Sequence, residues 1–365
     1  MISRTVVYHA QSAEGIRIKK TLFSETRIKK PGHALVKVKA CGVNPVDAKY
    51  CIGDKLPGWI PEKIKRLAIE GRGVGFDFSG EVLEAGTSSS FKTHDRVFGT
   101  TPALEASFSE IIEVPYHQIT HMSDQQTFSE AAALPLCGIT AFDCLKKNFA
   151  LKKRQRILIL GASGGVGTMA TQISKYLVGP SGHVAAICSE KNHSFVSKLG
   201  ADACFDYKNG LISLFSKLRN EYSSPENKFD LVFDAVSSME LKDQSFDYQK
   251  LIHKNGILKT KLNAPKKTKS NYISIGGKTL DWIRAGVKYK KFHWNWFNNS
   301  HELFWINFSN SNKTLKSLVQ MIDQDKLKVK IEEIHVDGFK SIMPIRESFE
   351  RLMERRVVGK IVFVL

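Results

Sequence analysis

The stretch from Arg156 to Gly167 constrains this chain more than any other. Arg156-Ile157-Leu158-Ile159-Leu160 is an apolar run of strand length, and it feeds directly into Gly161-Ala162-Ser163-Gly164-Gly165-Val166-Gly167. Thr168 to Leu177 then follows with its apolar residues at helical spacing. A strand, a glycine-rich turn and a helix in this order form a grip for phosphate. Glycine lets the backbone approach a pyrophosphate, and the helix N-terminus offers it free N–H groups and a positive dipole end. Ala162 stands where the usual G-x-G-x-x-G has a glycine, so the motif here rests on Gly164 and Gly167. The expected ligand is a dinucleotide.

A chain of 365 residues exceeds what one core organises, roughly 250–300 residues, so two domains are expected. No apolar run reaches the roughly 20 residues that span a bilayer, and no signal-peptide core opens the sequence. The expectation is a soluble, untargeted, cytoplasmic protein. Cys41, Cys51, Cys137, Cys144, Cys188 and Cys204 are scattered without paired spacing, which argues for free thiols rather than disulfides or a metal cluster. The formal net charge is +18, a field that attracts anions: nucleotide phosphates, acidic lipid surfaces or nucleic acid. Its clusters, at 146–156 and 259–269, also fit solvated loops.

Along the chain, residues 1–126 read as β-rich: Thr5 to Tyr8, Ala34 to Ala40, Phe76 to Leu83 and Arg96 to Gly99 are strand candidates, punctuated by turns such as Pro31-Gly32. A barrel-like, mostly antiparallel domain fits. From 127 the rhythm changes. Phe128 to Leu134 and Thr140 to Leu145 read as helical. Strands are then expected at His183 to Cys188, Ala203 to Phe205, Asp230 to Asp234, Gly256 to Lys259 and Tyr272 to Ile275. Strands alternating with helical patterns predict βαβ units and a parallel sheet. Trp282 to Asn310 has no clear period. Beyond it, Leu315 to Ile322 and Ser341 to Glu354 read as helices and Ile331 to Val336 as a strand, and the β-branched Lys360 to Val364 could rejoin the first sheet.

Several separated stretches together resemble one family, the zinc-independent branch of the medium-chain dehydrogenase/reductases, which holds quinone oxidoreductases and enone reductases. They are VKVKACGVNPVD (36–47), GFDFSGEV (75–82), DRVFG (95–99), AAALPLCGITA (131–141), the glycine loop, KLGADACFDY (198–207) and GKIV (359–362). The resemblance implies an α/β protein, with a GroES-like β-rich catalytic domain built from both chain ends and a Rossmann doubly wound parallel sheet inserted between them. The expected bounds are 1–126 and 309–365 for the catalytic domain, and 127–308 for the NADP(H)-binding domain.

The zinc ligands of metal-dependent relatives align with Asn44, Phe76 and Leu136, none of them a good donor, so no metal is expected. Activation of an electrophile then falls to hydrogen bonds or a cation. The resemblance makes Asn44 and Lys49 candidates, with Tyr50 as a further donor, and assigns Asp47 and Asp77 to holding loops in shape. For the cofactor it implies Thr140 as a binding residue, Ala162, Ser163, Gly164, Gly165, Val166 and Gly167 around the pyrophosphate, Ser189 and Lys191 at a 2′-phosphate, and Tyr207 beside the adenosine. NADPH is the expected cofactor, although Glu190 would oppose a 2′-phosphate if it faced the ribose. The implied reaction is hydride transfer from NADPH to a small conjugated carbonyl (an enal or enone) or to a quinone. The alternative is a nucleotide-binding interaction protein that docks on a membrane face or RNA. KYKKFHWNW (288–296), basic residues interleaved with aromatics, keeps that reading open. A homodimer and an anionic membrane surface are carried as further partners; nucleic acid is disfavoured.

Overall fold

The structure is a computed structural model that describes residues 2–9, 15–22, 28, 30–51, 69–86, 89–236, 251, 272–275, 301–303, 310–336 and 338–365. The expected strand at 256–259, the basic cluster at 259–269 and the aromatic segment 288–296 lie outside the described residues. The chain divides into two compact units, Met1–Ile139 with Asn307–Leu365, and Thr140–Ile306. Helices α2 (Phe128–Ala133) and most of α3 (Pro135–Phe142) thereby fall in the first unit.

The first unit is built on β3 (His33–Gly42), a strand whose apolar residues are mostly buried. It pairs antiparallel with β4 (Asp77–Ala85) and with β6 (Ile111–Pro115). From β4 the sheet continues through β5 (Arg96–Thr100) to β7 (Ile119–His121). A separate antiparallel pair, β1 (Ile2–Tyr8) with β2 (Ile16–Leu22), adds Val6, Tyr8 and Ile16 to the same apolar core. The terminal run does rejoin this sheet: β15 (Lys360–Val364) lies antiparallel to β3, with Val362 opposite Gly42, and β14 (Ile331–His335) flanks it in parallel. Its alternation of Ile361 and Phe363 against Val362 lets both faces bury apolar side chains, which makes an interior strand of it.

Helix α2 starts on a reciprocal cap. Thr127 Oγ1 accepts from the Glu130 backbone N–H, and the Glu130 carboxylate accepts from the Thr127 N–H. Its Ala132 and Ala133 pack on Ala40 and Val362. This contact fixes the chain leading into α3 above the sheet.

Among the described residues of the second unit all strand pairs are parallel, in the order β10 (Ala203–Phe205), β9 (His183–Ile187), β8 (Arg156–Leu160), β11 (Leu231–Asp234), β12 (Tyr272–Ser274), β13 (His301–Leu303). Numbered within the unit this is 3-2-1-4-5-6, the order of a dinucleotide-binding sheet. Ile157, Leu158 and Ile159 are wholly buried, as a central parallel strand requires. Helix α4 (Gly165–Val178) connects β8 to β9, α5 (His193–Lys198) lies between β9 and β10, and α6 (Leu211–Tyr222) between β10 and β11. The expected helix over 140–145 is α-helical to Phe142 and continues as a π-helix over Asp143–Asn148.

Candidate active site

In the first unit, β3 ends at Gly42, and Asn44 opens the turn into α1 (Pro45–Cys51). Asn44 is wholly buried. Its Oδ1 accepts from Lys360 Nζ at 2.6 Å, and its Nδ2 donates to Asp77 Oδ2 at 3.0 Å. Lys360 Nζ also bonds Asp77 Oδ2 at 3.1 Å, and the Leu136 backbone N–H donates to Asp77 Oδ1 at 2.9 Å. Asp47 closes the set, its Oδ2 accepting from the Asn44 N–H at 2.8 Å. Two carboxylates and one ammonium thus share a site shut off from water. Asp47 and Asp77 do hold this loop in shape.

The charges divide unevenly. Burial pushes the Asp47 carboxyl up to about 8 against its one backbone donor, and its Oδ1 has no hydrogen-bond partner among the described residues. Burial raises Asp77 as well, but the Lys360 charge and the hydrogen bonds from Asn44 and Leu136 act against that rise. Lys360 itself is raised above an ordinary lysine, because Cys137 and Asp77 outweigh its desolvation. Lys360 therefore keeps its charge at neutral pH and Asp47, raised to about 8, holds a proton, while the Lys360 charge and two hydrogen-bond donors favour Asp77 as the carboxylate of the pair.

Lys360 was not legible as a site residue. It opens a β-branched run that otherwise reads purely as a strand, and the signal that could have found it is a lysine inside a segment whose other residues are all apolar. Its presence alters the part Asn44 can take. The carboxamide is committed at both ends, to Asp77 and Lys360, so Asn44 braces the site from within.

The side chains that reach toward solvent are on the last turn of α1, where Lys49 and Tyr50 are both half-buried. Tyr50 packs between Tyr8 and Phe76, at ring-centroid distances of 6.0 and 6.5 Å. Tyr8 in turn donates its hydroxyl to the Asp47 carbonyl at 3.0 Å, tying α1 to β1. Burial, and then the neighbouring Asp47, raise the Tyr50 phenol, which keeps its proton as a donor.

A catalytic zinc does not fit these residues. It needs three protein donors, and Asn44, Phe76 and Leu136 supply no thiolate or imidazole. Lys360 already places a positive charge against Asn44 Oδ1. Cys137 is buried and pushed up to about 11 by desolvation, and Cys41 is buried with its Sγ donating to the Ser107 carbonyl at 2.9 Å. Both pack rather than ligate. Among the described residues no group of three His, Cys, Asp or Glu side chains could hold a metal.

The second unit presents the glycine loop at the C-terminal end of β8, next to the point where the strand order reverses. The N–H groups of Gly161 and Ala162 both donate to the Ile187 carbonyl, which anchors the loop to β9. A Cβ on Gly167 would lie 2.0 Å from the Gly161 carbonyl oxygen, so the first helical turn closes on the loop only because this residue is glycine. Gly164 is different. Its backbone is extended, and a Cβ there would meet nothing nearer than the Gly161 oxygen at 3.6 Å among the described residues. Helix α4 begins just after it with no side-chain cap. First-turn N–H groups left uncapped beside open space fit a pyrophosphate.

Around the end of β9, Ser189 is nearly buried and its Oγ accepts from Asn192 Nδ2 at 3.1 Å, which leaves the hydroxyl proton free to donate. Lys191 and Glu190 are both exposed on the following turn, and Tyr207 is half exposed beyond β10. Ser163, Gly165 and Val166 are half-buried at the loop, whereas Ala162 and Thr140 are wholly buried. The loop and the end of β9 are thus gathered at the same end of one sheet.

A dinucleotide grip and a metal-free polar site carried on two units define an oxidoreductase. The family model for the GroES-like domain of alcohol dehydrogenases matches residues 30–124, and the model for zinc-binding dehydrogenases matches residues 199–363. The chain is 30% identical over 325 residues to ox mitochondrial NAD(P)H oxidoreductase RTN4IP1, covering 83% of this chain and 75% of that one. It is 34% identical over 186 residues to the chloroplast envelope quinone oxidoreductase homologue of Arabidopsis thaliana, covering 49% and 54%. The solved quinone oxidoreductase of Coxiella burnetii superposes with a TM-score of 0.73 at 24% identity, over the whole of both chains. The chain belongs to the medium-chain dehydrogenase/reductases, in the zinc-independent branch of NAD(P)H-dependent quinone and enoyl oxidoreductases. One expectation is corrected. The ox relative and its human, zebrafish and mouse counterparts are all named as mitochondrial, which overturns the cytoplasmic reading drawn from the lack of a visible signal.

Proposed function

We propose that this protein uses NADPH to reduce the C=C bond of small α,β-unsaturated carbonyls, or the ring of quinones. The observation that carries the reading is that half-buried Lys49 and Tyr50 stand on the last turn of α1, the helix whose first turn carries Asp47 of the buried cluster that leaves no place for zinc. The nicotinamide nucleotide supplies the hydride when bound. Lys49 offers one positive charge to a carbonyl oxygen, and Tyr50 offers a protonated hydroxyl. Such activation is weaker than that of a dication, so it suits substrates that spread incoming negative charge over a conjugated system as an enolate.

The Ser189 hydroxyl and the exposed Lys191 support NADPH over NADH. A charge-assisted bond to the 2′-phosphate contributes roughly 1.5–3 kcal/mol, or about ten- to a hundredfold in affinity. The test is NADPH and NADH oxidation against a panel of enals, enones, quinones, simple ketones and alcohols, with Lys191→Ala run alongside. Turnover confined to the conjugated substrates, with an NADPH preference that Lys191→Ala abolishes, supports the proposal. Ready oxidation of simple alcohols would reject the reaction class, and equal loss for both cofactors would reject the role of Lys191.

A further inference from the structure

Strand β11 reads Leu231-Val232-Phe233-Asp234, three apolar residues closed by a carboxylic acid, and all four are buried. Alternation along the strand puts Asp234 on the same face as Val232, which belongs to an apolar cluster with Leu158, Leu160 and Tyr272. A carboxyl group in such surroundings is costly unless it is hydrogen-bonded. Two donors reach it. Tyr272, buried on β12, donates its hydroxyl to Asp234 Oδ2 at 2.5 Å, and the Val236 backbone N–H donates to Oδ1 at 2.9 Å.

The second of these bonds, from a side chain to the N–H two positions on, turns the chain out of the strand. The turn is also tied to both neighbouring strands: the Ala235 N–H donates to the Leu160 carbonyl on β8, and the Ile275 N–H to the Asp234 carbonyl, each at 3.1 Å. Its result is the position of Val236. A Cβ built on Gly161 would lie 2.3 Å from Val236 Cγ2, so the valine methyl rests on the bare Cα of a glycine whose φ is +75°. Gly161 is central to the phosphate loop. Its carbonyl accepts from the Gly164 N–H at 3.1 Å, and the same oxygen is the atom that Gly167 approaches. On one side the Ile187 carbonyl of β9 anchors the loop; on the other Val236 supports it, where the strand order reverses between β8 and β11.

We propose that Asp234 and Tyr272 are positioning residues for the dinucleotide: their hydrogen bond fixes the turn after β11, the turn holds Val236 against Gly161, and Gly161 keeps the phosphate loop in its binding shape. The role rests on NAD(P)H binding and not on a preference for NADPH. Both side chains are buried, so they act on the ligand through Val236 rather than by touching it. The pyrophosphate is common to NADH and NADPH, and loss of the pair should therefore weaken both alike. Lys191, whose proposed contact is with the 2′-phosphate, should not behave in this way.

The experiment titrates NADH and NADPH separately into the wild-type protein, Tyr272→Phe, Asp234→Asn and Val236→Ala, each well below its melting temperature, which is recorded alongside. Tyr272→Phe deletes one hydroxyl and should weaken both dinucleotides by about five- to tenfold, the scale of one lost hydrogen bond. Asp234→Asn keeps an oxygen for the Val236 N–H and gains an amide that can donate to the Tyr272 oxygen, so its affinities should stay within about threefold of wild type. Val236 is 41% exposed, so Val236→Ala should melt near wild type and yet lose affinity as Tyr272→Phe does.

A folded Tyr272→Phe whose affinities stay within about twofold of wild type would overturn the proposal whatever its melting temperature, because the pair would then serve stability alone. Loss confined to NADPH would overturn it too, by placing the effect at the 2′-phosphate. If Tyr272→Phe does not fold, Val236→Ala decides by the same thresholds. Wild-type protein that bound neither dinucleotide would overturn the reading of the glycine loop itself, and this role with it.

Discussion

The ammonium of Lys360 lies 2.6 Å from the side-chain oxygen of Asn44, a contact that joins positions 316 residues apart in the sequence. It places a buried cation against the residue that aligns with a zinc ligand in metal-dependent relatives. Lys360→Met should therefore destabilise the protein by about 3–5 kcal/mol, since it leaves Asp77 buried without its counter-charge. Urea denaturation midpoints measure this. A loss below about 1 kcal/mol would mean that Asp77 is neutral in the folded protein.

The proton on Asp47 gives stability a pH dependence of definite sign. Its carboxyl is raised from 3.8 to about 8 on folding, so between those values the folded chain holds a proton that the unfolded chain has released. Stability from this group is full below about pH 4 and is lost as pH rises through about 8. Asp47→Asn should flatten the stability profile in that window. Denaturation midpoints taken from pH 5 to 8 would show it, and an unchanged slope would mean that Asp47 is ionised when folded.

The two loop glycines should respond in opposite ways. Gly167→Ala drives a methyl group into the Gly161 carbonyl oxygen and should cost about 1–3 kcal/mol of stability through overpacking. Gly164→Ala meets open space, so its stability cost should stay near or below about 1 kcal/mol, the scale of an N-cap change. Its dinucleotide affinity should nevertheless fall at least tenfold. Melting temperature and cofactor titration, measured on both variants, separate the effects.

Lys49→Ala should lower kcat/KM for enones by roughly ten- to a thousandfold, the span for removing one stabilising donor at an oxyanion. NADPH affinity should change much less. A kinetically silent variant would leave the reaction class intact and remove Lys49 from it.

What could be read in the sequence divides according to how local its causes are. The strand at 156–160, the glycine loop and the helix after it are specified by neighbouring residues, and they form as expected. The return of Lys360–Val364 to the first sheet was legible from its β-branched run. Helix α6 was not, because Leu211 and Ile212 are exposed and blur the apolar stripe that would reveal it. Strand β2 was missed for a similar reason: after Ile16 and Ile18 its alternation breaks where Lys20 follows Lys19. The commitment of Asn44 could not be foreseen at all, since both its charged partners come from distant strands and no spacing rule connects them.

The place of β15 in the first sheet also imposes an order on biosynthesis. At roughly 5–20 residues per second, a ribosome needs on the order of tens of seconds to travel from Asn44 to Lys360. Throughout that interval Asn44 and Asp77 have been made but their cation has not, and β3 has an open edge where β15 will lie. The parallel sheet, whose strands all precede β15, can assemble during the wait. The nascent first unit must be kept from pairing its bare edge with a stranger until the last strand emerges to cover it.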